Sequence, residues 1–407
     1  MKKRLVLVVT SFPKLSETFV VNKLLGLLDL GWDVHVVCGQ SDPKEWSNFP
    51  VLSTYPGIKK RVHVTWLQKP RIFAALLLPV NFLRLLIFAP KRAFMYLRNG
   101  FRKFRLKLIK FLYLDAELII LGPAIIHFEF GALAVGKTYL KALLGTNLSV
   151  SFRGYDLNFA GLDKSDYYRE VWQAIDACHF LGEDLWQRAK KRGCPETIPH
   201  MLIPPAINLD EFPVSHNKYE EIIGTKERPA RLLSVGRLEW KKGYEHALAA
   251  VKFLSDVGIF CEYKIVGEGD YKQAISFTIL DMQLEDVVDL CGPLAHNKVV
   301  NLLQWADVFL HSAVSEGFCN AVLEAQAMGL PVVTSDADGL NENVADGVTG
   351  FVVPRRDPMA LAEKMVLLVE NSDTRKSFGL AGIERVRNLF SIEKQLDAWE
   401  EFYKDLL

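Results

Sequence analysis

Short apolar runs alternate along the chain with longer stretches whose apolar residues recur at helical spacing, which predicts buried strands separated by packed helices. In the first half Leu5–Val9, Val34–Cys38 and Ile119–Phe128 read as strands, with others at Val62–Trp66, Ser149–Phe152, Ala177–Phe180 and Met201–Ile203. A helix is expected from near Thr18. In the second half Leu232–Val235 and Pro331–Thr334 read as strands, and Gly236 ends the first of these. Gly243 then precedes a helical pattern through Ala247, Leu248 and Val251. A last helix near Ser391–Leu407 carries Leu396, Trp399, Phe402 and Tyr403 as its apolar positions. Strands apolar throughout and joined by helices imply parallel, doubly wound sheets.

Length turns this into two domains, because 407 residues exceed what one core organises. The boundaries are expected at residues 1–212 and 213–388, with 389–407 as a terminal helical segment. Net charge is +1, yet residues 1–210 hold 29 Lys and Arg against 17 Asp and Glu, and 211–407 hold 20 against 31. The halves therefore carry +12 and −11, so a basic domain facing an anionic partner hides behind a near-neutral total. Six cysteines show no C-x-x-C spacing, which argues against a zinc site and for free thiols in a reducing compartment. The run Leu5–Val9 is too short for a signal sequence and is read as the first strand.

Two segments carry candidate chemistry. In SEGFCNAVLEAQAMG, a loop-to-helix turn would aim the N–H groups of Gly317, Phe318, Cys319 and Asn320 at an anion or a ring of hydroxyls. Glu316 would enter from the loop, and Glu324, about two helical turns on, could accept two hydrogen bonds from a vicinal diol such as a ribose. Taken alone, two such carboxylates are more often a helix-end charge and a solvated side chain. In RLLSVGRLEWKKGYEHALAA, Arg237 and Lys242 lie on the loop after a strand, where α/β sheets bind ligands. Two cations there could neutralise a diphosphate, although a lone Lys-Lys-Gly is usually a solvated loop.

With SVGRLEWKKG, IVGEGD, ADVFLHSAVSEGFCNAVLEAQAMGLPVV and GLNENVADGVTGFVV in that order, the second half resembles the family 4 retaining glycosyltransferases. The resemblance implies the α/β GT-B architecture, two Rossmann-like doubly wound domains facing a cleft, with a C-terminal helix crossing back to the first. It implies that Arg237 and Lys242 bind the donor diphosphate, that Glu324 binds the ribose and that the Glu316 turn holds the donor sugar. Backbone at Gly292-Pro293-Leu294 is expected near the base. The donor is a nucleotide-diphosphate sugar, a UDP- or GDP-sugar; no cofactor is implied. Asp336-Ala337-Asp338 formally matches a metal-binding D-x-D, but it falls in the loop after a strand and no metal is assigned to it. Gly267-Glu268-Gly269 is read as a strand-end turn.

The first half resembles the exopolysaccharide, colanic-acid-type bacterial branch in some places and departs in others. Ser16-Glu17-Thr18-Phe19 stands in the first strand-to-helix turn, which in such members faces the cleft; Ser16 could equally be a plain helix cap. IHFEFG places His127 at a strand end. Arg153 replaces the His of the family's His-Gly-Tyr-Asp, and an arginine stays charged. It is expected either to hold an acceptor or leaving-group phosphate, oriented by Asp156, or to form a structural salt bridge. PPAIN at 204–208 departs from the usual pattern of that turn and is read as structural.

Residues 69–110 contain eleven Lys and Arg and no acid. Pro79, Arg84 and Pro90 interrupt the apolar runs, so a spanning helix is not expected. Phe101, Phe104, Leu106, Ile109 and Leu112 or Tyr113 recur at near-helical spacing among Arg102, Lys103, Arg105, Lys107 and Lys110, the pattern of an interfacial helix on anionic lipid. A helix packed on its own sheet with a solvated basic face is the alternative. No nucleic-acid motif accompanies the charge.

The expected protein is a metal-independent hexosyltransferase acting on a lipid-linked or polysaccharide acceptor, peripheral on the inner face of the cytoplasmic membrane. A noncatalytic nucleotide-sugar-binding member of the same fold is the alternative that Arg153 would favour. A nicotinamide oxidoreductase is disfavoured because SFPKLS occupies the first turn, where G-x-G-x-x-G would be required.

Overall fold

The computed structural model describes residues 4–65, 71–213, 219 and 221–407, and their side chains apart from those of 71–76. Trp66, Lys69 and Pro70, which the strand and basic-segment expectations include, lie outside the described residues. The chain divides into two compact units, one of residues 1–180, 186–203 and 396–407 and one of 181–185 and 204–395.

The first unit is built on seven strands: β1 (Arg4–Ser11), β2 (Asp33–Gln40), β3 (Val62–Val64), β4 (Ile125–Phe128), β5 (Asn147–Phe152), β6 (Ala177–Phe180) and β7 (His200–Leu202). They pair in parallel in the order β3-β2-β1-β4-β5-β6-β7, so the direction of winding reverses between β1 and β4. Helix α1 (Thr18–Asp29) buries Val20, Val21, Leu24 and Leu27 against Leu5 and Leu7 of β1. Each such fully buried side chain contributes roughly 1.5–3 kcal/mol.

Three further helices, α2 (Arg71–Phe88), α3 (Pro90–Phe104) and α4 (Lys107–Leu114), carry the basic segment. The single interfacial helix expected across 101–113 is instead broken at Arg105, whose φ of 45° lies outside the helical region. Leu112 and Tyr113 are buried, whereas Phe101 and Leu106 are 72% and 84% exposed. Among the described residues no helix is long and apolar enough to cross a membrane.

The run read as one strand over Ile119–Phe128 is split. Residues Ala116–Leu121 form helix α5, Gly122 ends it at φ 58°, and β4 starts at Ile125. An unbroken apolar run does not by itself distinguish a buried strand from a buried helix, and the left-handed glycine marks the true boundary.

The second unit has six parallel strands: β8 (Ala230–Val235), β9 (Cys261–Val266), β10 (Val288–Gly292), β11 (Val308–His311), β12 (Val332–Ser335) and β13 (Gly350–Val353). Their order is β10-β9-β8-β11-β12-β13, which places the reversal between β8 and β11. Helix α6 (Tyr244–Asp256) follows β8, and α7 (Asn320–Ala327) follows β11.

The last helix, α8 (Ile392–Lys404), belongs to the first unit from Leu396 onward. Its Trp399, Phe402 and Tyr403 are buried in that unit's core, as the apolar pattern predicts. A Cβ on Gly26 of α1 would lie 2.3 Å from Leu396, so the helix seats directly on α1.

Candidate functional site

At the carboxyl end of β8 the chain turns through Arg237 and a short 3-10 segment, Trp240–Lys242, before α6. Gly243 makes that turn possible: its φ is 61°, and a Cβ would lie 2.4 Å from the Ser312 carbonyl oxygen. Only glycine combines that backbone with that approach. Lys242 is thereby set beside the end of β11, where its ammonium pairs with Glu316. His311, the last residue of β11, places Nε2 3.5 Å from the same carboxylate oxygen. The expected loop cation and the first of the two expected carboxylates thus meet at the switch point of the sheet, where such sheets bind ligands.

Burial alone would push the Glu316 carboxyl up; the Lys242 ammonium, with His311, overcomes this and holds it at about 2. Burial works against the Lys242 charge too, yet Glu316 raises its pKa above the ordinary lysine value. The Cys319 thiol is lowered despite burial because His311 and Lys242 face it. Glu324 on α7 goes the other way: burial raises its pKa, only partly opposed by His296. Arg237 is 67% exposed at its side chain and pairs with Glu239 at 2.7 Å.

The Glu316 turn is held from outside its own segment. Asp338 accepts from Ser315 Oγ at 2.8 Å and from the Glu316 N–H at 3.1 Å. Arg355 donates to both Asp336 and Asp338, at 3.1 Å each. The D-x-D match is therefore a latch closed by an arginine. Gly339 packs against the turn so closely that a Cβ would lie 2.1 Å from the Gly317 oxygen. Asn343 takes the Cys319 N–H at 3.0 Å and returns a bond to the Cys319 carbonyl. This corrects one expectation, because the Cys319 N–H is engaged in holding the loop. Cys319 is also the N-cap of α7, with Asn320 exposed at its first position. Phe318 packs edge-on to Phe390.

Gly292 ends β10 with φ 68°, and its carbonyl accepts from Gly267. Leu294 is half-buried in the same apolar cluster as Phe318 and Val322. A Cβ on Gly267 would lie 1.9 Å from the Gly236 oxygen, which explains this glycine by backbone packing between strand ends.

In the first unit, the end of β4 holds a charge cluster that the sequence reading found only in part. Glu129, fully buried, pairs with Lys23 of α1 at 2.8 Å and with Arg153 at 3.3 Å. The Arg153 guanidinium also lies 3.6 Å from the Phe19 ring centroid. Lys23 sits 3.3 Å from the Trp399 ring centroid, and burial, partly offset by Glu129, pushes it down to about 7. Asp156 does not orient the guanidinium; its carboxylate accepts the N–H groups of Ala132 and Arg153 and so caps a helix start. His127 is likewise internal: it bonds to Ser149 and Ser151 at 2.9 Å each and packs edge-on against Trp399 and Tyr403. Ser16 and Thr18 are exposed, Glu17 is buried against Lys14, and Ser16 does not cap α1. Asn208 caps the short turn that follows it, in keeping with a structural role for PPAIN.

His311, Glu316 and Cys319 also bring one ligand atom each to within 4.8 Å of one another. The Lys242 ammonium already occupies that carboxylate, so a metal would have to displace it.

Residues 215–385 match the family described as Glycosyl transferases group 1. The second unit carries a group 1 glycosyl transferase domain. Amylovoran biosynthesis glycosyltransferase AmsK of Erwinia amylovora is 29% identical over 399 residues, covering 93% of this chain and 94% of that protein. A galactosyltransferase of Escherichia coli, named for transfer from UDP-Gal to α-D-GlcNAc-diphosphoundecaprenol, is 27% identical over 51% of this chain and 54% of its own. Sucrose-phosphate synthase of Thermosynechococcus elongatus superposes with a TM-score of 0.73 at 18% identity, over 100% of this chain and 99% of its own. Anabaena HepE, solved with UDP and glucose, gives 0.71 at 15% identity, over 99% and 100%. The fold of this glycosyltransferase is GT-B.

Proposed function

We propose that the protein is a retaining, metal-independent hexosyltransferase of exopolysaccharide biosynthesis, which moves a sugar from a UDP- or GDP-sugar to a lipid-linked or polysaccharide acceptor. The observation that carries this is the meeting of Lys242 and Glu316 at the ends of β8 and β11, with exposed Arg237 beside them. AmsK is similar along nearly its whole length, the coli relative's name specifies a lipid diphosphate acceptor, and HepE was solved with UDP.

In this reading residues 213–388 bind the donor, 1–212 bind the acceptor and 389–407 form the crossover helix. As the anomeric carbon–oxygen bond breaks, negative charge grows on the leaving diphosphate. Lys242 and Arg237 stabilise that charge more in the transition state than in the bound donor, which is what lowers a barrier. Glu316, kept ionised by Lys242, orients the donor sugar and balances the local charge. Glu324 accepts the ribose hydroxyls, and backbone at Gly292 and Leu294 meets the base. Attack occurs from the face of the departing phosphate, whose oxygen takes the acceptor's proton, so configuration is retained without a protein nucleophile. Arg153, backed by Glu129 and Lys23, meets an acceptor or leaving-group phosphate. The cations fill the role that a divalent ion plays in other transferases. The protein acts peripherally at the inner face of the cytoplasmic membrane.

Thermal unfolding with UDP-, GDP- and ADP-sugars tests the donor assignment. A ligand at 100 times its Kd adds about 2.7 kcal/mol, so one nucleotide series should stand out. No shift with any of them, together with absence of sugar transfer to any acceptor, would leave the reading without support.

A further inference from the structure

Helix α2 of the first unit is apolar on its exposed face as well as on its buried one. Over residues 77–88 of α2 the only polar side chains are Asn81 and Arg84, and Asn81 is 1% exposed. Val80, Phe82, Leu83, Leu86, Ile87 and Phe88, by contrast, are between 45% and 64% exposed. A helix packed on a water-soluble domain shows the opposite arrangement, and a contiguous exposed apolar face marks a binding surface. Beside this face lies a cavity of about 330 Å³, walled by Leu78, Leu85, Leu97, Ile109 and Leu112 from α2, α3 and α4.

Asn81 and Tyr113 also line it, yet the wall presents no polar surface to the cavity. Asn81 Oδ1 accepts from Arg84 at 3.1 Å, and because arginine can only donate, this fixes which way the amide is turned. Its Nδ2 is then buried without a partner. The flanking helices expose Arg98, Arg102, Lys103, Arg105, Lys107 and Lys110, and no acid lies anywhere in residues 69–110. Hydrocarbon walls beside helices whose only exposed charges are cations describe a site for an apolar chain with an anionic end.

We propose that this cavity seats a segment of the polyisoprenyl chain of a lipid-linked acceptor, with its phosphate end toward the exposed cations of α3 and α4 and the exposed face of α2 lying in the bilayer. The proposal rests on the lipid-linked reading of the acceptor. It moves the membrane-facing surface from 101–113, where the sequence pattern put it, to α2.

The test is binding of a long-chain polyisoprenyl phosphate and of its short, water-soluble analogue to the full chain, read by competition against a fluorescent analogue in dilute detergent. Ile109→Trp places a ring at the rim, where the residue is 48% exposed. Leu78→Trp, at a half-buried wall position, is the second variant in case one fails to fold. The long chain should bind the unaltered protein and be weakened at least about tenfold in both variants, the equivalent of two buried methylenes. The short analogue should not distinguish them. Equal long-chain binding in all three proteins overturns the proposal. So does a dimer of the unaltered protein that Ile109→Trp dissociates, since a second copy would then cover the face. Transfer to lipid-linked saccharides that is indifferent to chain length, without polyisoprenyl phosphate binding, overturns the cavity and leaves the acceptor reading standing. Tight, Trp-sensitive binding without transfer to any lipid-linked saccharide does the reverse.

Discussion

Lys242 and Arg237 bring positive charge to the same strand end, but their surroundings separate what their loss should do. Arg237 is mostly exposed, so Arg237→Ala should cost roughly 10²–10³ in kcat while leaving the unfolding midpoint nearly unchanged. Lys242 neutralises a largely buried carboxylate, and Lys242→Ala strands that charge. It should lose a similar factor in rate and also roughly 3–5 kcal/mol of stability. Paired kinetics and urea unfolding check both, and full turnover in both variants would remove the diphosphate assignment. Glu316 adds a pH signature. Its carboxyl is held at about 2 in the folded chain against an ordinary 4.5, so between those values the unfolded chain binds a proton that the folded chain does not. Its stabilisation is therefore complete above about pH 4.5 and is lost as pH falls through about 2. In Glu316→Gln the slope of stability against pH in that window should flatten, by a total on the order of 1–3 kcal/mol, as measured by urea unfolding at stepped pH.

At the scale of the element, the Glu316 turn shows what local sequence can and cannot convey. The turn, the two carboxylates and the Lys-Lys-Gly loop were legible because each is a compact pattern at a strand end. Its fastening was not, because Asp338 and Asn343 reach it across 22 to 24 positions, with Arg355 bracing Asp338 from 17 further on, and leave no spacing to read. The same holds for Lys23 and Glu129, which are 106 residues apart. His311 ends an ordinary apolar strand, at the same strand end as Glu316, and the pairing of β8 with β11 is what brings Lys242 to both. The strands of the first unit, with β8 and β12 of the second, were foreseen; β9, β10, β11 and β13 were given no range, and the helix α5 was hidden in an apolar run that fits either structure. The latch yields a differential prediction. Asp338→Ala removes two bonds to the turn and should raise the donor KM several-fold and cost about 1–3 kcal/mol, while Asp336→Ala, which only braces Arg355, should be mild. EDTA should leave turnover intact, because Arg355 already engages both carboxylates. Strict dependence on Mn²⁺, abolished by Asp336→Ala, would show that the pair is a metal site after all.

For the whole molecule, the partition of charge between +12 and −11 is the property that composition conceals and division of the chain reveals. The positive half includes α3 and α4, whose Arg102, Lys103, Arg105, Lys107 and Lys110 are all exposed. Each cation near an anionic surface contributes about 1 kcal/mol, and the apolar face of α2 adds a term that salt does not screen. Two contributions with different salt dependence can be told apart. Binding to vesicles rich in anionic lipid should be strong at low salt and should weaken, without vanishing, as ionic strength rises. Replacing the five cations with Gln should remove the salt-sensitive part, leaving weak binding that no longer responds to salt. Donor binding should be unchanged in that variant, because Arg237, Lys242, Glu316 and Glu324 all belong to the other unit. Sedimentation with vesicles across a salt series, run beside donor-induced thermal shifts, measures both. If the unaltered chain fails to sediment even at low salt, the basic helices are a solvated surface and the acceptor is met in solution.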